Sequence, residues 1–466
     1  MNLDAFQYAA VNTDSARLSL SAPAGSGKTR VLIERVARLC DKSDTRARDV
    51  LVVTFARKAA QELRDRLYRR GSLDVEVKTF HAWALSLVKK MHVVPGRLLN
   101  EVEQFDLLWR VGARVLAARQ YREMTERLCL DKNWSRPFLL RLLLSAISTL
   151  RSAGLDASSA KLKSLAERDT CARLALAVLA AYTHVLQKNG VADFSYLIQL
   201  AHTGSTRFAP SYQHVLIDEV QDAAATELAL IKRFCAKAQT QTWVGDPNQS
   251  LYGWRGSAGV IPNAERRLSL SFNYRSDARV IALVNTFLSK KVSGSTAPGA
   301  PVRLIKAARA ANYTPKLILY PRYEEDRLCV RLIRELLALG YQQRDITILA
   351  RAHQPLDQLK RVRSEYKKVR RTTVHAFKGL ESPVVIVINV AQNRFGFPIQ
   401  AAGDMLPLQE LASYDRAQEE QNIFYVAVTR ARDRLILCAP KGDYSPFTEQ
   451  LPGRVIQRGI LQANKP

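Results

Sequence analysis

Apolar residues along this chain come in short unbroken runs separated by longer amphipathic stretches, a pattern that predicts buried parallel β-strands alternating with helices. From Leu18 to Val36 a short apolar strand passes through a Gly-rich turn into an amphipathic helix, and a second strand is expected at Val50 to Phe55. Between about Ala82 and Gly190 the pattern changes. Leu, Ala and Arg dominate there, Gly and Pro are sparse, and FLLRLLLSAISTL has helical length and periodicity, so this region reads as a helical insertion. Strand-like runs return at His214 to Ile217 and Thr242 to Val244, each followed by an acidic or Gly-containing turn, which puts ligand groups at the carboxyl ends of strands. Further strands are expected at Val302 to Ile305, Leu317 to Tyr320, Ile346 to Leu349, Val384 to Val390 and Leu435 to Cys438. The economical reading is α/β, with two parallel-sheet lobes: 1–81 and 201–272 as the first, 82–200 as its helical insertion, 273–450 as the second and 451–466 as a tail. No internal repeat is evident, and the stretch SGSTAPGAP from Ser293 reads as a surface loop.

Composition narrows the partner. The 466 residues are 47% hydrophobic, which argues for several globular lobes, and 70 Lys and Arg against 43 Asp and Glu leave a net charge of +27. A polyanion, nucleic acid above all, is the expected partner. No apolar run approaches the roughly 18 residues needed to span a bilayer, and the N-terminal MNLDAFQYAAV is not a leader, so a cytoplasmic setting is expected. Six cysteines lie far apart with no zinc-ligand or CxxC spacing and are expected to be reduced packing residues.

The candidate chemistry begins at Ala22-Pro-Ala-Gly-Ser-Gly-Lys-Thr29. Between a strand and a helix, the backbone N–H groups of Ala24, Gly25, Ser26, Gly27 and the residues through Arg30 can cradle phosphates, with Lys28 on the β and γ phosphates and Thr29 on Mg²⁺. Ala22 stands where strict P-loops carry Gly. The run His214-Val-Leu-Ile-Asp-Glu-Val-Gln-Asp222 ends an apolar strand in carboxylates, as metal-assisted phosphoryl transfer requires: Asp218 to hold Mg²⁺ through water and Glu219 to polarise the attacking water. The implied cofactors are ATP and Mg²⁺.

These segments, with Val244-Gly-Asp-Pro-Asn-Gln-Ser-Leu-Tyr-Gly-Trp-Arg-Gly256, resemble the ordered motifs of superfamily 1 helicases of the UvrD, Rep and PcrA group. Gln7 lies in a stretch resembling the adenine-reading Q motif, Thr54-Phe-Ala-Arg-Lys-Ala-Ala60 resembles motif Ia, and Thr79-Phe80-His81 resembles the next DNA-contacting motif. Asn273-Tyr-Arg-Ser276, Thr373-Val-His-Ala-Phe-Lys-Gly-Leu-Glu381 and Glu420 to Arg432 resemble the later motifs. The resemblance implies two RecA-like motor lobes. It gives Gln249 as γ-phosphate sensor, Tyr274 on the adenine, Glu381 near the ribose, and Arg275 and Arg430 as guanidinium groups reaching the transferring phosphoryl when the lobes close. It also implies 3′-to-5′ movement.

Phe55, Tyr252 and Trp254, beside strand ends and turns, read as base-stacking residues, with packing between the lobes as the alternative for Tyr252 and Trp254. Phe80, Arg255, His81 and His375 are expected companions on the DNA path. Larger relatives carry a helical subdomain inserted in the second lobe, and here only about a hundred positions separate Arg275 from His375, so that insertion is expected to be missing. The gap instead holds Leu359-Lys-Arg-Val-Arg-Ser-Glu-Tyr-Lys-Lys-Val-Arg-Arg371, either a patch for DNA backbone or a partner, or a solvated basic helix face. Smaller departures are Val220 in motif II, Phe377 in motif V and Asp193-Phe-Ser-Tyr-Leu197, which lacks a second acid.

Two functions compete. One is a Mg²⁺–ATP-dependent DNA helicase acting on single-stranded and tailed duplex DNA in replication or repair. The other is a single-strand-activated ATPase serving as accessory subunit of a nuclease or phage-defence complex. A scaffold with a dead nucleotide site is opposed by the intact set Lys28, Asp218, Glu219, Gln249, Arg275 and Arg430. The closing GRVIQRGILQANKP carries no acidic metal cluster, so cutting would fall to a partner. The residues do not distinguish DNA from RNA as the track.

Overall fold

The computed structural model describes residues 3–41, 45–71, 74–91, 95–204, 211–257, 259–295, 304–399, 408, 415–449, 451, 453 and 456–460. The chain builds two six-stranded parallel sheets. The first contains β1 (Arg17–Ser21), β2 (Val50–Thr54), β3 (Glu76–Thr79), β6 (His214–Ile217), β7 (Thr240–Gly245) and β8 (Arg266–Ser269), in the order β3-β2-β6-β7-β1-β8. Between β3 and β6 in sequence, β4 (Arg97–Leu98) and β5 (Val191–Ala192) pair in parallel as a neck, and five helices from Glu101 to Lys188 emerge between them. Their apolar faces form a core of their own. The Phe80–Lys90 and Phe194–Thr203 helices instead pack on the first sheet, so the return to the first lobe precedes β6.

Every residue of β2 and β6 is buried because helices cover both faces of the sheet, which is why those strands read as continuous apolar runs. Leu18 of β1 pairs with Thr242 of β7 on one side and Arg266 of β8 on the other. The carboxyl ends of β1, β6 and β7 therefore lie side by side, and each opens into one of the candidate motifs. This is the crevice where ligands of open α/β sheets bind.

The second sheet contains β11 (Lys316–Tyr320), β12 (Ile346–Ala350), β13 (Arg370–Thr373), β14 (Ser382–Val387), β15 (Ala431–Pro440) and β16 (Gln457–Ile460), in the order β13-β12-β14-β15-β11-β16. The segment expected as a tail thus supplies a strand that pairs with β11 from Gln457 to Ile460. A short pair, β9 (Phe272–Asn273) and β10 (Lys306–Ala307), begins just past the strand expected at Val302 to Ile305, where Leu304 and Ile305 are not in a strand. Residues 302 and 303 lie outside the described set. The Ala278–Ser295 helix runs through Ser293, so the expected loop does not begin there, and its remainder at 296–301 is also outside the described residues.

The interval from Arg275 to His375 is occupied by the lobe's own elements: the Ala278–Ser295 helix, β10, β11, the Glu325–Ala338 helix, β12, two short helices and β13. Within it the basic segment is not one helix face. Lys360–Glu365 is helical, and Arg370 begins β13, the edge strand.

One buried arginine ties the N-terminal helix to the P-loop helix. Arg35 of the Lys28–Cys40 helix is fully enclosed, and its guanidinium donates to the carbonyls of Ala10, Val11 and Thr13 at 3.0, 3.1 and 2.9 Å and to Thr242 Oγ1 at 3.0 Å. Arg35→Met keeps the length but orphans those acceptors, so it should lower unfolding free energy by roughly 2–3 kcal/mol in a urea titration. An unchanged midpoint would show that the carbonyls have other partners.

Candidate functional site: a nucleotide cleft joined to a strand groove

The P-loop is shaped by two glycines in left-handed backbone. Gly25 has φ +72, and a Cβ there would lie 2.7 Å from Cβ of Arg275; Gly27 has φ +80, and a Cβ would lie 2.6 Å from Nε2 of Gln7. Neither position tolerates a side chain. Gln7 Nε2 donates to the Ser26 carbonyl at 3.0 Å, so the Q-motif glutamine braces the loop from below. From the second lobe's side, Asn273 Nδ2 donates to the Ala24 carbonyl at 2.6 Å and the Tyr274 amide to the Gly25 carbonyl at 2.8 Å. The Tyr274 hydroxyl bonds to Asp4, and its ring continues a line of aromatics with Phe272 and Phe6 at 6.3 and 6.0 Å. Its ring is exposed enough to receive a flat ligand.

Lys28 opens the helix that follows and forms an ion pair with Glu219, while Asp218 Oδ1 lies 4.0 Å from its ammonium. Thr29 and Arg30 follow on that helix's first turn. Burial pushes the Lys28 pKa down, but Glu219 and Asp218 together hold it above the ordinary lysine value. Burial likewise opposes ionisation of Glu219, and Lys28 and Lys378 overcome it, drawing its carboxyl down to about 2. Asp218 moves the other way, raised by burial with Glu219 adding to it. The two adjacent carboxylates differ because Glu219 pairs closely with Lys28 while Asp218 lies 4.0 Å from it.

The donor set fits Mg²⁺ and a phosphate chain. Asp218 Oδ1 and Ser26 Oγ are buried without a hydrogen-bond partner, and no cluster of three or more His, Cys, Asp or Glu able to hold a metal occurs among the described residues. One buried carboxylate, Asp218, with Thr29 on the first turn of the Lys28–Cys40 helix, suits an ion that keeps waters and takes phosphate oxygens. Bound there, the ion would supply charge neutralisation for phosphoryl transfer, held by Asp218 and Thr29.

The second lobe closes the cleft from above. Arg430 is almost wholly buried, its Nη2 donates to Gln249 Oε1 at 3.2 Å and its Nε to the Val426 carbonyl at 2.9 Å. Burial, and then neighbouring Arg275, pull its guanidinium down to about 9, so it stays charged at neutral pH. Gln249 Nε2 donates to Asp246 Oδ2 at 2.8 Å, which also accepts from the Tyr425 hydroxyl at 3.1 Å. Arg275 pairs with Glu381, and Arg432 approaches the same carboxylate at 3.9 Å. In this state Glu381 therefore serves the arginines of the second lobe, alongside its expected place near a ribose.

Several site residues were not singled out from the sequence. Lys378 donates to Asp222 Oδ2 and to the Gln249 carbonyl, both at 2.5 Å, and its ammonium sits 5.2 Å from the centroid of the Tyr252 ring. Asn422 Nδ2 donates to the carbonyls of Pro247 and Ser250 at 3.2 and 2.9 Å, and Glu419 accepts from the Gly253 amide at 3.0 Å. All of them sit inside or beside segments singled out in the sequence, but the partner that gives each its meaning comes from the other lobe.

On the far side of these contacts, Tyr252 stacks on Phe55 with centroids 5.0 Å apart and planes at 24°, and His375 meets Tyr252 edge-on at 6.2 Å. Tyr252, Trp254, Arg351, His353, Thr373 and His375 line a groove of about 510 Å³ shared by both lobes. Arg351, at the carboxyl end of β12, is held by a two-pronged contact with Glu420 at 2.7 and 3.2 Å. Trp254 is 39% exposed, with Arg255 over its ring at 5.3 Å, while Arg255 also approaches Glu101 of the helical insertion at 3.7 Å.

One expectation for the strand path is corrected. Phe80 is 1% exposed and packs in the first lobe's core beneath the sheet, because the helix capped by Thr79 turns that ring inward. It cannot touch a strand. His81 and His375 are both pulled down to about 4, His81 by burial and then Arg255 and Arg57, His375 by burial and then Arg351. His81 packs against Phe194 at 4.5 Å.

The unfolded chain binds these two protons near pH 6.5 whereas the folded one refuses them, so stability is full above about 6.5 and declines as pH falls toward 4. Replacing both histidines with glutamine should flatten the fall of melting temperature across that window. An equal fall in wild type and variant would assign it to other groups.

The comparisons with known proteins agree with this geometry. The UvrD/REP helicase N-terminal domain family matches residues 3–266, more than half of the chain, and the UvrD-like helicase C-terminal domain family matches residues 356–442. The chain belongs to the UvrD/Rep helicase family. Similar proteins include DNA helicase IV of Escherichia coli K12, 29% identical over 95% of this chain and 69% of that protein, and a "Probable DNA helicase" of Mycoplasma pneumoniae, 27% identical over 94% and 83%. ATP-dependent DNA helicase Rep of E. coli is 26% identical over 76% of this chain, which spans about half of Rep's length (52%). Membership makes this UvrD/Rep-family protein an ATP-hydrolysing enzyme with two RecA-like lobes. No described helix is long and apolar enough to cross a membrane.

Proposed function

We propose that this protein is a Mg²⁺–ATP-driven DNA helicase that moves 3′ to 5′ along single-stranded DNA. The observation that carries this reading is the set of side chains crossing the cleft, Arg430 to Gln249 and Lys378 to Asp222. Charge at the nucleotide is thereby read by both lobes at once, so that each hydrolysis can change their spacing. In this reading Lys28, Thr29 and Asp218 hold Mg²⁺–ATP, Glu219 orients the attacking water, Gln249 senses the γ-phosphate, and Arg275 and Arg430 stabilise the transferring phosphoryl. Tyr274 and Gln7 attend the base. Tyr252, Trp254, Phe55 and the groove of Arg351 and His375 grip the strand. The printed names of the relatives support DNA as the track, their bacterial sources a bacterial cytoplasmic setting, and the family resemblance the polarity.

Strand displacement on duplexes bearing a 3′ or a 5′ single-stranded tail tests this directly. Displacement from the 3′ tail alone is the expected result; displacement from the 5′ tail alone would overturn the polarity. A second reading, a single-strand-activated ATPase working with a nuclease or repair partner, draws support from the short interval between Arg275 and His375, which the second lobe's own elements fill. DNA-stimulated hydrolysis without displacement from either tail would favour it.

Base stacking is worth about 1–3 kcal/mol per base, so Tyr252→Ala should weaken single-strand affinity by that amount and blunt DNA-stimulated turnover while leaving ATP binding intact. Fluorescence anisotropy with a labelled oligonucleotide gives the affinity. An unaltered value would return Tyr252 to packing alone.

A further inference from the structure

The groove has a charged continuation that none of the site residues uses. In the segment Lys360 to Arg371, six of seven basic side chains are exposed: Lys360, Arg361, Arg363, Lys367, Lys368 and Arg370. The acids around them are not ion-paired with most of these side chains. Asp326 accepts from the backbone amides of Arg361 and Val362 at 2.8 and 3.1 Å, and Glu365 pairs with Arg334 at 3.2 Å. Arg363 alone has a carboxylate, Asp357 at 3.4 Å; the other five make no ion pair among the described residues. Behind them Arg371 buries its Nη1 without an acceptor. A cluster of like charges with its counter-ions withheld is strained by self-repulsion, and a polyanion relieves that strain.

Topology says which polyanion. Arg370 and Thr373 are the two ends of β13, the edge strand, and Thr373 and His375 line the groove already described. The rise of a strand puts the two ends of β13 about 10 Å apart. A DNA strand leaving the groove past the β13 edge would pass beside the cluster.

We propose that the exposed basic cluster at 360–370 is an extension of the strand path, a phosphodiester-backbone site that holds single-stranded DNA just outside the groove. This rests on the reading of the groove as the strand channel. The contacts are purely ionic and blind to sequence, since phosphates and not bases face a surface of lysine and arginine ends. The site lengthens the footprint on the track and slows loss of the strand between steps.

The test compares wild type, a variant with all six residues replaced by Gln, and a milder Lys367→Gln, Lys368→Gln, Arg370→Gln variant, each checked for an unchanged melting curve. Affinity is measured against salt for a short oligothymidylate that fills the groove alone, for a long one that overhangs it, and for a blunt duplex. The log–log salt slope for the long oligonucleotide should become shallower by about 0.7 per contact removed, with binding of the short one and hydrolysis at saturating DNA unchanged. An unchanged slope on the long oligonucleotide overturns the proposal, as does an equal loss on both lengths. Weakened binding of the blunt duplex alone overturns the assignment to single strands. Failure of the groove reading would look different: wild type would show no DNA-stimulated hydrolysis at any length.

Discussion

Glu219→Gln is expected to reduce ATP turnover by about 10²–10⁴-fold while changing nucleotide affinity little, because a positioned general base contributes a factor of that size and glutamine keeps its shape. The geometry sharpens this expectation. Glu219 stands in left-handed backbone at φ 53, between Lys28 on one oxygen and Gln221 Nε2 at 2.6 Å on the other. Lys28 and Lys378 hold its carboxyl below the ordinary range against the opposing effect of burial. The variant removes a charge but not the phosphate cradle, and Lys28 retains Asp218 as a neighbour. Pre-steady-state hydrolysis with a labelled γ-phosphate, beside binding of a fluorescent ADP analogue, separates the two effects. Turnover within tenfold of wild type would remove Glu219 from the role of base.

The second large effect belongs to Arg430. Charge stabilisation by a guanidinium on a transferring phosphoryl is worth roughly 10³-fold or more, and Arg430→Ala should cost turnover on that scale. Arg430→Lys should recover only part of it. A lysine keeps the charge but cannot bond Gln249 and the Val426 carbonyl from one rigid plane, as the guanidinium does. A purely structural role would give another signature, with lysine and alanine variants melting early and losing ATP binding together. Normal melting in Arg430→Lys with low turnover identifies the functional role, whereas full turnover in that variant would exclude it.

The motifs were legible because each is a local device. A P-loop is a strand, a glycine turn and a helix start within a dozen residues, and both glycines that shape it are needed at their positions for reasons visible in the turn alone. The carboxylates after β6 were found the same way, whereas Arg275 and Arg430 came only from the resemblance to the family's ordered motifs. What escaped were relations between lobes. Lys378 looks like any lysine of a very basic protein until Asp222 and Gln249 are brought to it, and Arg351 follows an unremarked strand until Glu420 aims it at the groove. Phe80 failed for the opposite reason. Its neighbour in sequence, His81, is half-exposed, and only the orientation of the helix after Thr79 decides which of two consecutive rings faces the core. Of the two readings of the basic segment, a single helix face does not hold along its length: Val362, Tyr366 and Val369 anchor a short helix and a turn.

Lys378 has one more consequence. The same ammonium touches Asp222, in the turn after β6, and rests against Tyr252, the ring on which a base stacks in the proposed function. On the proposed function, news of the nucleotide's state and of the track's occupancy would arrive at a single atom, with no chain of intermediates to carry it. In a machine built this way fuel and footing are sensed at one address, and an empty foothold and an empty fuel chamber are felt together.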